Sequence, residues 1–173
     1  MDKRLPEGQT IRYTPIGVIR SGHDEPEKTP IQPVYAETCR GWADIFPPYV
    51  DGLRDLEGFS HLYLIYHFHK AGPTRLLTKP FLQDSERGVF ATRASCRPNP
   101  IGLSIVELIR REGSTLHLKG LDVLDGTPLL DIKPYVARFD RKDAVRSGWQ
   151  DEVDDATARL LGGRKNQNGR DGP

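Results

Sequence analysis

Between positions 61 and 70, "HLYLIYHFHK" alternates: Leu62, Leu64, Tyr66 and Phe68 fall on one side of an extended chain, and His61, Tyr63, Ile65, His67 and His69 on the other. A period of two sustained this long predicts a strand, central and contacted on both sides. Weaker versions of the pattern predict strands over residues 11–21, where Ile16 and Val18 alternate with smaller or polar neighbours, and over 88–95, 101–112, 114–124 and 128–136. Turn residues separate them, notably Glu112-Gly113-Ser114 and Asp125-Gly126. Short strands at regular spacing without long helical periods between them predict a mainly β protein, a small closed β-barrel with short helices.

Two stretches break the pattern. Residues 23–40 carry Pro26, Pro30 and Pro33, which exclude a helix interior and favour a long extended loop. Residues 47–61 open on Pro47-Pro48 and read as a short helical turn stopped by Gly58. From Asp140 onward Val153, Ala156, Leu160 and Leu161 take helix-compatible spacing, with Gly162-Gly163 ending a carboxyl-terminal helix. The expected organisation is an extension at 1–13, a barrel domain at 14–139, a helical segment at 140–163 and a disordered tail at 164–173.

Composition narrows the class. The 173 residues suit one domain. A 36% hydrophobic content, with no apolar run near the roughly 18 residues a spanning helix needs, predicts no membrane association. The first residues lack the apolar core of a secretory signal, so the chain reads as cytoplasmic. Two cysteines, Cys39 and Cys96, are too few for a disulfide framework. With Lys+Arg 25 against Asp+Glu 24, any contact with a polyanion has to come from a local patch; Lys133, Arg138, Arg141, Lys142 and Arg146 are the candidate.

The residues with chemical potential cluster. In "RASCRPNPIG" (93–102), Pro98 and Pro100 fix their own φ and push Arg97 and Asn99 toward extended geometry, while Gly102 permits close approach by a ligand or another backbone. This is either a stiff lead into a strand or a preformed binding loop. Arg93 and Arg97, four apart in an extended segment, share a side and suit a carboxylate or phosphate, although without further context a solvated ion pair is the stronger reading. His67 and His69 have the H-x-H spacing of some metal-binding barrels, which would need a third ligand from elsewhere. Asp125 fits the turn at Gly126, whereas Asp122, at a strand end, has no turn to serve and is the better candidate for accepting ribose hydroxyls or a proton.

Taken in order, "IGVIRS", "GFSHLYLIYHFHK", "GVFATRASCRPNPIGLSIVEL" and "LDVLDGTPLLDIKPY" resemble the TsaA-like family of tRNA methyltransferases over residues 14–135. The resemblance implies a barrel that binds S-adenosyl-L-methionine, forms a homodimer and methylates N6 of threonylcarbamoyladenosine just 3′ of the anticodon, with the tRNA anticodon loop as partner. No G-x-G occurs in the chain, which agrees with a cofactor site of a kind other than the dinucleotide fold. By the same resemblance the cofactor contacts are Pro30, Ile31 and Gln32; His69 and Lys70; Arg93 and Leu103; and Gly120, Leu121 and Asp122. No metal is implied.

Asp122 and Asn99 are the expected catalytic pair, by hydrogen bonding to the acceptor amine. Arg97, Tyr66, Tyr135 and Lys133 are the expected substrate contacts, the tyrosines by stacking on a base. The chain departs from the family pattern at Ile31, where many relatives have arginine, and in carrying the "SGW" segment and a helix where longer bacterial members have a further domain. Two other readings stay open: a barrel that binds S-adenosylmethionine or RNA without catalysis, and a His-ligated metal enzyme.

Overall fold

The alternation at 61–70 becomes strand β3 (His61–His67), which buries Leu62, Leu64 and Tyr66 and turns the intervening side chains outward. In this computed structural model, which describes residues 10–143 and 145–162, β3 lies between two partners, β6 (Ile101–Glu112) and β8 (Thr127–Pro134). With β1 (Gly17–Ser21), β2 (Arg40–Ile45) and β7 (Thr115–Lys119) these strands close a six-stranded antiparallel barrel in the order β1-β2-β7-β6-β3-β8. Two two-residue strands, β4 (Leu77–Thr78) and β5 (Arg87–Gly88), form a separate ribbon. The expected mainly β closed barrel is the fold observed.

Inward side chains of all six barrel strands fill the core: Ile19, Ala43, Ile45, Leu62, Leu64, Val106, Leu116, Leu118 and Leu129. One end is plugged by 3-10 turns at Pro47–Leu53 and Leu56–Gly58, which insert Leu53 and Leu56. At the same end the β6–β7 hairpin turns through Gly113, whose φ of 59° is the reason a glycine stands there. The other end, where β1, β3 and β7 finish and β2, β6 and β8 start, is an open rim crossed by loops.

Four expectations change. In β1 the buried positions are Gly17 and Ile19, one residue out of phase with Ile16 and Val18. Strand β2 carried no legible signal, because it places Gly41 and Ala43 inside and Trp42 outside, which inverts the usual hydrophobic contrast. Residues 88–95 are not a strand: after β5 the chain enters a 3-10 turn at Val89–Ala91, closed by the Thr92 hydroxyl donating to the Val89 carbonyl at 2.9 Å. The strand expected at 114–124 stops at Lys119.

Beyond β8 come helix α1 (Ala137–Asp140), a 3-10 turn at Gly148–Glu152, and helix α2 (Asp155–Gly162). Asp154 starts α2 by accepting the Thr157 amide at 2.9 Å and the Thr157 hydroxyl at 2.7 Å. Ala156 and Leu160 face solvent, while Gly162 is buried. The expected tail at 164–173 and residues 1–9 of the extension lie outside the described residues. No described helix is long and apolar enough to cross a membrane.

Candidate functional site at the barrel rim

Four loops converge on the open rim: the proline-rich loop before β2, the turn after β3, the loop leading into β6, and the turn between β7 and β8. Hydrogen bonds between them fix their arrangement. Lys70 Nζ donates to the Asp24 carbonyl at 3.2 Å, the His23 ring bonds the Leu121 carbonyl at 3.0 Å, and the Cys39 carbonyl accepts the Gly120 amide at 2.9 Å. Gly120 turns with φ of 82°, which aims the chain back across the barrel mouth and buries Leu121 completely. Arg93 Nη1 donates to Gln32 Oε1, joining the proline-rich loop to the loop before β6.

Asp122 is the chemical centre of this rim. Ser104 Oγ, buried inside the barrel, donates to Asp122 Oδ1 at 2.6 Å, and Tyr66 Oη lies 3.0 Å from Ser104 Oγ. Since the serine proton goes to the carboxylate, the tyrosine hydroxyl is the donor to serine. Burial pushes the Asp122 carboxyl up to about 6, against the opposing pull of the Ser104 hydroxyl, its own backbone amide and the Arg93 charge. The Tyr66 phenol is pushed far above its ordinary value, chiefly by burial and then by the Asp122 charge. Sequence reasoning missed Ser104, which reads locally as an ordinary strand serine between apolar Leu103 and Ile105.

His69 bonds Thr127 Oγ1 through Nδ1 at 3.1 Å, and the same hydroxyl donates to the Leu124 carbonyl at 2.8 Å. The imidazole therefore carries its proton on Nδ1 and presents Nε2 as an acceptor. Burial, with Lys70 and His67 adding their charges, holds its pKa below the ordinary value. Asp125 is structural: it accepts the Ser21 amide at 3.1 Å.

Of the expected site residues, Pro30, Ile31, Gln32, His69, Lys70, Arg93, Gly120, Leu121, Asp122 and Asn99 all lie on the loops of this rim, with Asn99 exposed. Leu103 does not share the inner surface. It alternates with Ser104 on β6, points outward and is 47% exposed.

The structure places the four expected substrate contacts, Tyr66, Arg97, Tyr135 and Lys133, elsewhere than on an open rim surface. Tyr66 is 4% exposed, its ring packed over Gly102 and against Phe68, so no face is free to stack on a base. Arg97 does not stand beside Arg93, because the segment is not extended there; its guanidinium donates to the Thr92 and Ala94 carbonyls at 3.3 Å and folds its own loop. Tyr135 and Lys133 sit at the plugged end of the barrel, where Tyr135 follows β8 and packs near Tyr63, and Lys133 pairs with Asp131 at 2.9 Å. The length of β8 separates them from Asp122.

Of the expected basic patch, Lys133 and Arg141 are neutralised by Asp131 and Asp143, while Arg138, Lys142 and Arg146 are exposed. Among the described residues no group of three or more His, Cys, Asp or Glu side chains is placed to hold a metal ion, so the third ligand that His67 and His69 require is not supplied there. Two surface concavities lie away from the rim loops. One of about 670 Å³ is lined by residues such as Asp51, Arg54 and Arg111, and one of about 170 Å³ by Trp42, Ile109 and His117.

Comparison with known proteins converges on one family. Residues 18–141 match the model of the tRNA-methyltransferase O N-terminal domain. A "Probable S-adenosyl-L-methionine-binding protein" of Pyrococcus abyssi is 52% identical over 80% of this chain and 76% of its own length. The "tRNA (adenine(37)-N6)-methyltransferase" of Escherichia coli K12 is 41% identical over 73% of this chain and 58% of that protein. A crystal structure of TrmO from Pseudomonas aeruginosa superposes with a TM-score of 0.72 at 43% identity, covering 86% of this chain and 66% of that one.

Proposed function

The chain belongs to the family of tRNA-methyltransferase O N-terminal domains, and from that premise we propose that it methylates N6 of an adenosine in tRNA, using S-adenosyl-L-methionine held at the open rim. The finer reading is that the acceptor is threonylcarbamoyladenosine, 3′ of the anticodon. The observation that carries the proposal is the meeting, on one rim, of a cation on the Gln32–Arg93 bridge and a carboxylate at Asp122, the two charges that the donor's methionyl and ribose ends call for.

The donor residues fit the group. Ile31, partly exposed beside buried Pro30 and Leu121, offers apolar surface for an adenine, Asp122 is an acceptor for ribose hydroxyls, and the exposed Arg93 guanidinium suits a carboxylate. His69 adds a neutral acceptor at Nε2. S-adenosylmethionine, when bound, supplies a methyl group activated by its sulfonium.

The chain's own contribution is orientation and proton management. Orientation is the larger effect, because an exocyclic amine is a weak nucleophile and its alignment removes much of the entropic barrier. The amine that gains the methyl loses one proton, and Asp122, ionised above about pH 6, is the rim carboxylate suited to take it. Exposed Asn99 can hydrogen-bond the same amine.

The homodimer is part of this proposal. Outward-facing Ile101, Leu103 and Ile105 on β6, beside Tyr63 and Ile65 on β3, form a contiguous apolar stripe on the barrel wall. A second copy covering it would bring Leu103 into the assembled site, as the family resemblance implies.

Mass spectrometry of nucleosides from tRNA incubated with the protein and S-adenosylmethionine tests the function. One methyl is expected to appear on threonylcarbamoyladenosine, and none in tRNA lacking that modification. Donor binding without methylation of any nucleoside would instead favour a non-catalytic binding protein.

A further inference from the structure

The loops that carry Gln32 and Arg93 are both tied to one short stretch near the end of the described chain. At one tie, Trp149 Nε1–H donates to the Ala91 carbonyl at 2.8 Å, two residues before Arg93. Gln83 strengthens this tie by donating to the Trp149 carbonyl at 3.3 Å and to Glu152 at 3.1 Å, while accepting from Arg87 at 2.8 Å.

At the other tie, the last residue of α2 meets the proline-rich loop. The Ile31 amide donates to the Gly162 carbonyl at 3.0 Å, and Gly162 is buried so tightly that a Cβ there would lie 2.4 Å from the Tyr35 ring. The Arg93–Gln32 bond closes the circuit: Gln32 to Arg93, Ala91 to Trp149, along α2 to Gly162, and back to Ile31.

We propose that residues 147–162 form a clamp that sets the spacing of the Gln32 and Arg93 loops, with Trp149 and Gly162 as positioning residues for the donor. This rests on the reading of the rim as the S-adenosylmethionine site. Neither residue touches the rim charges; each acts through the loop it holds. The device answers a local need. In the proline-rich loop the Lys28, Tyr35, Ala36 and Cys39 amides bond to carbonyls of the loop itself, Pro26, Pro30 and Pro33 have no amide to give, and the Ile31 amide bonds outward to Gly162. The side chain between Pro30 and Gln32 is apolar Ile31, which leaves its backbone amide as the group that can be pinned. Fixing both loops before the donor arrives removes ordering entropy from the binding step.

Three full-length variants test this. Trp149→Phe keeps an aromatic ring, though a smaller one, and deletes the donor to Ala91; Gly162→Ala drives a methyl into the Tyr35 ring; Tyr35→Ala added to Gly162→Ala takes that ring away. Amide hydrogen exchange in the absence of donor is expected to rise over residues 89–97 in Trp149→Phe and at Ile31 in Gly162→Ala. In both, Kd and KM for S-adenosylmethionine are expected to rise about three- to tenfold, the cost of one lost hydrogen bond, with kcat nearly unchanged. The double variant is expected to recover.

Unchanged exchange at the two loops would overturn the clamp, as would raised exchange with unaltered donor affinity. Failure of the unsubstituted protein to bind the donor would overturn the rim assignment instead, and is seen before any variant is made.

Discussion

Asp122 carries two opposed demands. Burial raises its pKa from 3.8 to about 6, so the folded protein holds this proton more tightly than the unfolded chain does. The resulting stabilisation is full below about pH 3.8 and is lost as pH rises through about 6, whereas proton acceptance needs the ionised form that dominates above 6. The site is therefore least favourable to stability where the proposed chemistry needs it. Asp122→Asn is expected to raise the melting temperature at pH 7.5 while lowering kcat about a hundredfold or more. Ser104→Ala removes the hydroxyl that favours the carboxylate, so the acid limb of the rate profile, near pH 6 in the unsubstituted protein, is expected to move to higher pH. A limb that stays in place would show that Ser104 does not tune Asp122. Asp122 was legible in the sequence as a carboxylate with no turn to serve. Ser104 was not, because nothing local distinguishes a working inward hydroxyl from an ordinary strand serine.

The β3–β6 pair shows how far strand pattern carries. Leu62, Leu64 and Tyr66 could be placed on one face from alternation, and β6 was bounded at Ile101 and Glu112 by its run of apolar residues, although its large ones, Ile101, Leu103 and Ile105, face outward. The partner of Tyr66 could not be placed. Gly102, which the sequence suggests as a point of close approach, faces Tyr66 across the ladder and yields its side-chain space to the phenol ring: a Cβ there would lie 2.1 Å from a ring carbon. Gly102→Ala is accordingly expected to destabilise the barrel by about 1–3 kcal/mol, the range for overpacking a core, measured by urea unfolding. An unchanged midpoint would mean that the ring has another place to go. Strands with small inward residues, such as β2 with Gly41 and Ala43, escape the pattern because their buried face is made of backbone and neighbours' side chains. The 88–95 segment misled for the opposite reason. Val89 is buried and Phe90 is 76% exposed in a turn that a side-chain hydroxyl closes, so apolar content there reports neither extension nor a core face.

The closed barrel separates two ends that the linear sequence runs together. Asn99, Asp122, Arg93 and Gln32 gather at the open rim, whereas Tyr135 and Lys133, only about a dozen positions beyond Asp122, lie at the plugged end because β8 crosses the whole wall between them. Motif proximity therefore grouped the residues proposed for the donor on one rim, and drew in Tyr135 and Lys133, which the barrel carries to its other end. Arg138, on the helix that directly follows β8, stands at the plugged end, so under the proposed function an RNA loop reaching Asp122 is held by other surfaces or by a second copy seated on the Ile101, Leu103 and Ile105 stripe. A crystal structure with bound S-adenosylmethionine addresses this arrangement directly. The donor is expected at the open rim, its carboxylate on Arg93 and its ribose on Asp122, in a two-fold dimer that buries Leu103. A donor lodged at the plugged end, or on a wall remote from the Gln32–Arg93 bridge, would contradict the assignment.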